Sequence, residues 1–474
     1  MLEKIKEKFK GKKSVSVPDN WEKLRDVVDK IFENTKAERE KMSMYLDRYN
    51  GKIWDENKLD EYDSRAILNF FFSTVQQIAP MLTDNRPRWA VVSTQPHKQK
   101  IASVYSQALQ YFWETRDMNH KLLLAVMDSL IMKLGLFKIT FDPNDGFGGN
   151  VNVDVVDPRE FFIAPGYTDP WDAPFCGMRS RKPLSWVKRR FEGVDEIKAE
   201  SGLSGEEEDG ISTVKFGDTA DFLLDCKFVT VTEVWMRDDN AMEDFDEELP
   251  DGKKKKSKKQ KYPYGKFVYF TANDFLAEEP CPYMFNRAPY VPLYDYVKPH
   301  DFLGTGELDN THDLILELNK VFQAMNNHFG KYHNPNVMID AAAGIDPDTV
   351  KNTYHKGGQM YTFDSQVNQN QEPIKTVKEP VMNPIAMQVF NMGPRLLEEI
   401  TGVTEMAKGV LTSKQEKSAS ESSILIESSY TRVRQRVRNL EWTIKRVCYL
   451  TIRMMQQFYT EPKTYWNKQD DEIE

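Results

Sequence analysis

The chain has 474 residues, which is too long for one ordinary compact core and leaves room for two or three modules. Hydrophobic residues make up 40% of it and aromatic residues 12%, so a chain disordered throughout is excluded. The net charge of −9 argues against a protein whose whole surface binds nucleic acid, and any contact with DNA should be local. The four cysteines are far apart and in no metal-ligand spacing, which favours buried thiols in a reducing, cytoplasmic compartment.

Membrane association is not expected. No run of about 18 apolar residues is present that could cross a bilayer, and the first residues lack the apolar core of a secretion signal. Residues 1–14 predict a short basic amphipathic helix, but one such helix buries little area in a membrane.

The first third of the chain has the pattern of helices. Apolar residues recur at helical spacing from Trp21 to Ile31, residues 66–81 predict a strongly apolar helix, and residues 99–133 predict one long helix. A β-rich part follows. Residues 136–141 and 151–156 alternate and predict a hairpin.

Two more strands are predicted at residues 227–235 and 265–271. Between them an acidic block, residues 243–251, precedes a basic block, residues 253–261. Blocks of like charge do not pack, so we expect a solvated hairpin tip. A nuclear-localisation or DNA-binding patch is the alternative, which the adjacent acidic block weakens.

Residues 307–330 carry apolar side chains at the spacing of a helix that packs on other helices. The opposite side of this helix carries Asp309, Asp313 and Glu317. Like charges in one stripe cost stability in an isolated helix. The stripe is therefore expected to face solvent, a cation, or something that must be kept from binding tightly.

The last third of the chain alternates helices with polar segments. Residues 331–382 predict a compact α/β insertion, and residues 383–402 predict a helix with a break near Gly393 and Pro394. Residues 403–419 form a loop rich in Ser, Thr, Gly and Lys. Residues 420–460 predict one very long helix.

Several strings resemble the portal proteins of tailed bacteriophages. NFFFSTVQQIAPMLTDNRPRWAV resembles the segment where a portal's N-terminal helix enters its wing, and VDPREFFIAPGYTD and TVTEVWMRD resemble a turn and a strand of the wing. PYVPLYDYVKPHDFLGTGELDNTHDLILELNKVFQAMNN is the most specific string and resembles the approach to the stem followed by the stem helix. The order of parts over about residues 60–460 is also that of a portal.

The resemblance implies an α+β portal fold that assembles as a ring. In that fold residues 1–304 form N-terminal helices and a mixed helix and strand wing, and the later segments form the stem, clip, tunnel loop and a helix directed toward the crown. Their expected bounds are a descending stem helix at 305–330, a small α/β clip at 331–382, an ascending stem helix at 383–402, a tunnel loop at 403–419, a long helix at 420–460 and a short acidic tail at 461–474. So short a tail leaves little of a crown.

Three groups of site residues follow from the resemblance. Asp309, Asp313 and Glu317 are expected to line the DNA channel. The tunnel loop is expected to meet DNA through Lys408, Thr412, Ser413, Lys414, Gln415 and Lys417. Packing between subunits is expected from Ile315, Leu318, Phe322, Met325, Val433, Val437, Leu440 and Ile444.

The family also implies the partners. They are other copies of the chain, usually in a dodecamer, double-stranded DNA in the channel, the terminase large subunit, head-to-tail adaptor proteins, and the major capsid protein with its scaffold. The expected place is the unique vertex of the virion capsid, after assembly in the host cytoplasm. No cofactor is implied.

Two other functions fit the sequence less well. An enzyme is disfavoured because no GxxxxGK[ST], HExxH, CxxC or GxSxG motif is present. His312, His328, His333 and His355 match no usual metal-ligand spacing. A virion scaffolding protein without DNA contact would explain the helices but not the β-rich part or the compact insertion.

Overall fold

The structure of the chain is a computed structural model. It describes residues 20–55, 63–84, 90–93, 95–146, 148–191, 197, 228–248, 254–333, 337–339, 346–348, 350, 374–376, 384–402 and 431–460. The chain divides into two compact units. Unit 1 comprises Met1–Leu46, Val75–Asp309 and Lys414–Glu474, and unit 2 comprises Asp47–Thr74 and Asn310–Ser413.

The first helices are α1 (Trp21–Asn34), α2 (Lys36–Tyr49) and α3 (Phe70–Thr83). Helix α1 begins at Asn20, whose side chain accepts a hydrogen bond from the Glu22 backbone N–H at 3.2 Å. Its buried face repeats at helical spacing through Leu24, Val28 and Ile31. This face packs in one core with residues of the large sheet described below.

The predicted helix over residues 99–133 is two helices, α4 (Gln99–Thr115) and α5 (Met118–Met132). Asp117 separates them with a left-handed φ of +50°. The apolar pattern did not predict this break between the helices, because an interruption of two residues hardly changes the spacing of the apolar residues.

The strands form two antiparallel sheets in unit 1. Strands β1 (Gly135–Asp142) and β2 (Asn150–Val155) form the predicted hairpin, with Phe137 opposite Val155. Strand β8 (Tyr290–Leu293) pairs on the other side of β1, so the order is β2-β1-β8.

The larger sheet has five strands in the order β3-β4-β5-β6-β7. Their bounds are β3 Phe161–Ile163, β4 Phe175–Pro183, β5 Phe228–Glu248, β6 Lys254–Phe270 and β7 Phe275–Pro280, with helix α6 (Leu184–Arg190) after β4.

The expected solvated tip between β5 and β6 is a regular two-stranded ribbon. Both strands continue through the charged blocks, and the backbone pairs run without interruption from Met242 opposite Gln260 to Glu248 opposite Lys254. A hairpin was expected here, but its strands are longer than the predicted ones, and its tip, residues 249–253, lies outside the described residues. In the observed register acidic residues lie opposite lysines, and opposite charges across strands favour pairing.

The remaining helices are α7 (Glu307–His333), α8 (Pro384–Thr401) and α9 (Thr431–Phe458). The break expected near Pro394 is absent from α8, which is continuous through that residue. Strand β9 (Val337–Ile339) pairs with β10 (Ile374–Thr376). Much of this insertion, including residues 351–373, and the start of the predicted long helix, residues 420–430, lie outside the described residues.

A buried ion cluster joins three segments of unit 1. Arg436 on α9 forms ion pairs with Asp295, which follows β8, at 3.2 Å and with Glu307 at the start of α7. The Arg436 guanidinium also donates to the Tyr296 hydroxyl. Arg436 is only 2% exposed. One arginine therefore sets where α9 lies on the small sheet and where α7 begins.

The Asp295 carboxyl is buried and poorly solvated within this cluster. Among the described residues its oxygens accept no hydrogen bond, although the Arg436 guanidinium lies close. Burial raises the pKa of Asp295 to about 7, Arg436 opposes the rise and Glu307 adds to it. Since a carboxyl prefers to stay neutral where its charge is poorly solvated, Asp295 should bind a proton on folding below neutral pH.

We therefore expect Asp295→Asn to change the pH dependence of stability. A folded pKa near 7 exceeds the unfolded value, so the stability from this group is complete at about pH 4 and is lost as the pH rises through 7. Between pH 5 and pH 7.5 the wild type should lose about 1–3 kcal/mol relative to the variant. Urea unfolding at both pH values measures the difference. Asp154→Asn on β2, an exposed position, is the control, and equal pH slopes for wild type and Asp295→Asn would contradict the expectation.

Candidate functional site

The three acidic residues of α7 differ in their surroundings. Asp309 accepts a hydrogen bond from the Tyr45 hydroxyl at 2.6 Å and pairs with the Lys133 ammonium at 3.1 Å. Asp313 is fully exposed, at 101% of its side chain, and Glu317 is 65% exposed beside Lys320. Asp309 is thus engaged in unit 1, and the exposed negative charge of the predicted stripe consists of Asp313 and Glu317.

The residues predicted to pack between subunits lie mostly inside one chain. Five of them are buried within the single chain: Ile315, Leu318, Met325, Leu440 and Ile444. A side chain already buried in its own subunit is not available to a neighbour, so these five are core residues. Phe322, Val433 and Val437 are partly exposed and stay candidates.

A row of amide side chains on α7 binds the extended segment that precedes α3. Asn319 accepts from the Leu68 backbone N–H at 2.9 Å and donates to the Leu68 carbonyl at 3.1 Å. One and two turns later, Gln323 donates to the Ser64 carbonyl and Asn327 accepts from the Ser64 N–H. These residues satisfy backbone groups that have no strand partner, which is the role of a polar side chain at a buried position. Sequence reasoning missed this role.

Helices α7 and α8 approach closely in unit 2. A Cβ atom built on Gly393 would lie 2.7 Å from Leu318 Cδ1 and 3.0 Å from Leu318 Cγ. One turn before Gly393, Phe390 stacks on Phe322 with ring centroids 5.8 Å apart. A side chain at residue 393 would therefore require the Leu318 side chain to move.

The adjacent face of α8 is apolar and exposed. Large hydrophobic side chains recur there at spacings of four, three, four and four residues, and we name the set the α8 stripe: Ile385, Val389, Met392, Leu396 and Ile400. Met392 is 55% exposed and Val389 45%. Contiguous exposed apolar surface of this kind marks an interaction site, and the spacing is that of a helix-packing seam. The sequence contained this signal, but both faces of α8 are apolar and the pattern does not say which one is covered.

The tunnel-loop residues predicted at Lys408, Thr412, Ser413, Lys414, Gln415 and Lys417 lie outside the described residues. Within the described ranges no group of His, Cys, Asp or Glu side chains is placed to hold a metal ion. No helix in the described part of the chain is long and apolar enough to span a membrane.

The Gly393 contact yields a stability test. Gly393→Ala should lower the free energy of unfolding by about 1 kcal/mol, since overpacking of a core costs about 1–3 kcal/mol and exceeds the gain in helix propensity of about 1 kcal/mol. Gly330→Ala on α7 is the matched control, because nothing lies within 4 Å of its added Cβ. That control should be stabilised by up to about 1 kcal/mol in urea unfolding. Equal stabilisation of both variants would contradict the packing argument.

The comparisons with known proteins agree with the fold. A family model described as phage P22-like portal protein matches residues 25–466, nearly the whole chain. No curated protein matches the chain. The mixed helix and strand architecture fits this family, whose members are structural proteins of the capsid. The chain therefore belongs to the P22-like portal protein family of tailed bacteriophages.

Proposed function

We propose that this chain is the subunit of a closed ring, a dodecamer by its resemblance to portals, at one vertex of the capsid. Double-stranded DNA enters and leaves the capsid through the centre of the ring. The observation that carries the proposal is the α8 stripe, an apolar seam exposed on a folded subunit.

A second copy of the chain is the occupant that best fits the α8 stripe. The stripe runs along one side of a helix whose adjacent face is buried at Gly393 and Leu397. Repeated about an axis, such a helix presents its apolar side to the next subunit, and contacts of this head-to-tail kind close into a ring. Phe322, Val433 and Val437 would add to these contacts.

The remaining segments keep the roles that the portal resemblance gives them. Residues 305–330 are the descending stem helix, residues 331–382 are the clip, residues 383–402 are the ascending stem helix and residues 403–419 are the tunnel loop. The clip is proposed to bind terminase during packaging and adaptor proteins afterwards. Contacts with the major capsid protein and scaffold fall to the wing within residues 1–304.

The charges of the proposed channel suit a sliding polymer. Asp313 and Glu317 are exposed carboxylates, and a ring displays each of them once per subunit. Repeated negative charge keeps phosphates from binding tightly. The tunnel-loop lysines Lys408, Lys414 and Lys417 would be the local positive collar, where a salt-screened contact is multiplied by the symmetry of the ring.

A virion scaffolding protein without DNA contact is the alternative. It predicts rods or globular monomers in negative-stain images, whereas the portal predicts rings with a central hole.

Ring assembly is expected to depend on the α8 stripe. Val389→Glu together with Met392→Glu places two charges on the seam, and burying unpaired charge is costly. We expect subunits with wild-type circular dichroism that sediment as monomers under conditions where the wild type forms rings. Asn391→Glu on the far, exposed side of α8 is the control and should still assemble. Rings formed normally by the double variant would exclude the stripe as the seam.

DNA translocation is expected to depend on the exposed carboxylates. Asp313→Asn with Glu317→Gln should slow packaging severalfold in a defined assay at low salt, because less repulsion lets the phosphates dwell on the wall. The difference should shrink at high salt, where charges are screened within about 3 Å at 1 M. Asp26→Asn with Glu33→Gln on α1 makes the same change in net charge at exposed positions and should package normally. Unchanged rates for the first pair would remove these carboxylates from the channel.

A further inference from the structure

The charged ribbon, defined as Met242–Glu248 of β5 and Lys254–Gln260 of β6, extends beyond the rest of its sheet. Strand β4 pairs with β5 only from Phe228 to Met236. Strand β7 pairs with β6 only from Lys266 to Phe270. Among the described residues, neither outer edge of the ribbon has a third strand beside it. Open edges of this kind pair readily with other chains unless something covers or blocks them.

The two strands of the ribbon carry opposite charge. Its β5 strand holds five acidic residues: Glu243, Asp244, Asp246, Glu247 and Glu248. Its β6 strand holds five lysines: Lys254, Lys255, Lys256, Lys258 and Lys259. The backbone register sets each acidic residue opposite one lysine, from Glu243 opposite Lys259 to Glu248 opposite Lys254. The ribbon is therefore neutral as a whole but has one acidic edge and one basic edge.

We propose that the charged ribbons of adjacent subunits contact each other head to tail, the acidic strand of one beside the basic strand of the next. The inference rests on the proposed ring and adds a surface that the α8 stripe does not include. The occupant of each open edge is thus a second copy of this chain.

Charge selects this arrangement over a two-fold one. A two-fold axis would bring acidic strand against acidic strand or basic against basic, and like charges repel. Rotation about a ring axis keeps all ribbons pointing the same way, so β5 of one subunit meets β6 of its neighbour. These two strands run in opposite directions, which continues the antiparallel alternation of the ribbon. The contact is heterologous, and such contacts form rings when they close.

DNA is a weaker fit to the basic edge. Paired strands lie about 5 Å apart, so the acidic strand accompanies the basic strand within a Debye length of about 8 Å at physiological salt. Duplex binding depends on uncompensated positive charge. A neighbouring ribbon offers each edge a row of opposite charge, whereas DNA would also meet the acidic strand.

The test exchanges the charges of the two strands. The exchange variant carries Glu243→Lys with Lys259→Glu, Asp244→Lys with Lys258→Glu, Asp246→Lys with Lys256→Glu, Glu247→Lys with Lys255→Glu, and Glu248→Lys with Lys254→Glu. Every cross-strand pair inside the ribbon is kept, as is the complementarity between identical subunits. The variant should therefore fold and form rings by itself.

Mixing distinguishes the proposal from a solvated ribbon. Wild-type and exchange subunits carry different mass tags, are dissociated, combined and reassembled, and the rings are weighed by native mass spectrometry. Where a wild-type subunit lies next to an exchange subunit, the proposed contact would bring two basic strands or two acidic strands together. We expect each ring to contain only wild-type or only exchange subunits. Rings that contain both kinds should be at least tenfold rarer than random (binomial) mixing of the subunits would give. A differently tagged wild type mixed with wild type is the control and should give the binomial pattern.

The remaining outcomes count against the proposal. Binomial mixing of wild type with the exchange variant would overturn it while leaving the ring intact. Binomial mixing with a loss of duplex affinity in the variant would assign the ribbon to DNA instead. A folded exchange variant that forms no rings would also overturn it, since complementarity is conserved. Absence of rings from the wild type would refute the proposed function itself.

Discussion

The pairing of one buried arginine ties three segments of unit 1 together. A guanidinium out of water must be matched by carboxylates, and Arg436 finds Asp295 after β8 and Glu307 at the start of α7. Removing one partner of such a pair costs about 3–5 kcal/mol, because the other charge stays buried. A shift of helix α9 along the small sheet would separate Arg436 from these carboxylates and would therefore be costly. Glu307 at the N-terminus of α7 is also favoured by the helix dipole.

Much of this fold follows from periodicity in the sequence. The hairpin of β1 and β2, helix α7 and helix α8 were predicted because each has a regular apolar pattern. Which partner covers or pairs with an individual residue was harder to predict. Periodicity says that Ile315 and Leu318 are covered, but not whether their own chain or a neighbour covers them. Asp309 was grouped with Asp313 by spacing, yet its partner Lys133 is distant in sequence and only folding brings the two together.

The charged ribbon illustrates a different limit. Read along the chain, each block is a run of like charge and predicts a solvated hairpin tip. Read across the strands, each acidic residue has a lysine at the opposite register position, a pairing that favours two antiparallel strands. The decisive information is the register, and it does not follow from the pairing of Trp235 with Phe267 alone, because it shifts between Met236 and Asp238 and again between Asp238 and Met242.

Helix α8 and the charged ribbon together address how a chain with a net charge of −9 could associate with copies of itself. Equal charges repel at long range, so the contact surfaces must supply attraction locally. The α8 stripe supplies it through apolar area, which salt hardly weakens. The ribbon supplies it through complementary edges, which salt screens and which discriminate between head-to-tail and two-fold contacts. Apolar area alone would tolerate several arrangements, whereas polarised edges favour the one that closes a ring. The acidic surplus is then left for other surfaces, including the exposed carboxylates of α7, where repulsion of DNA would be useful.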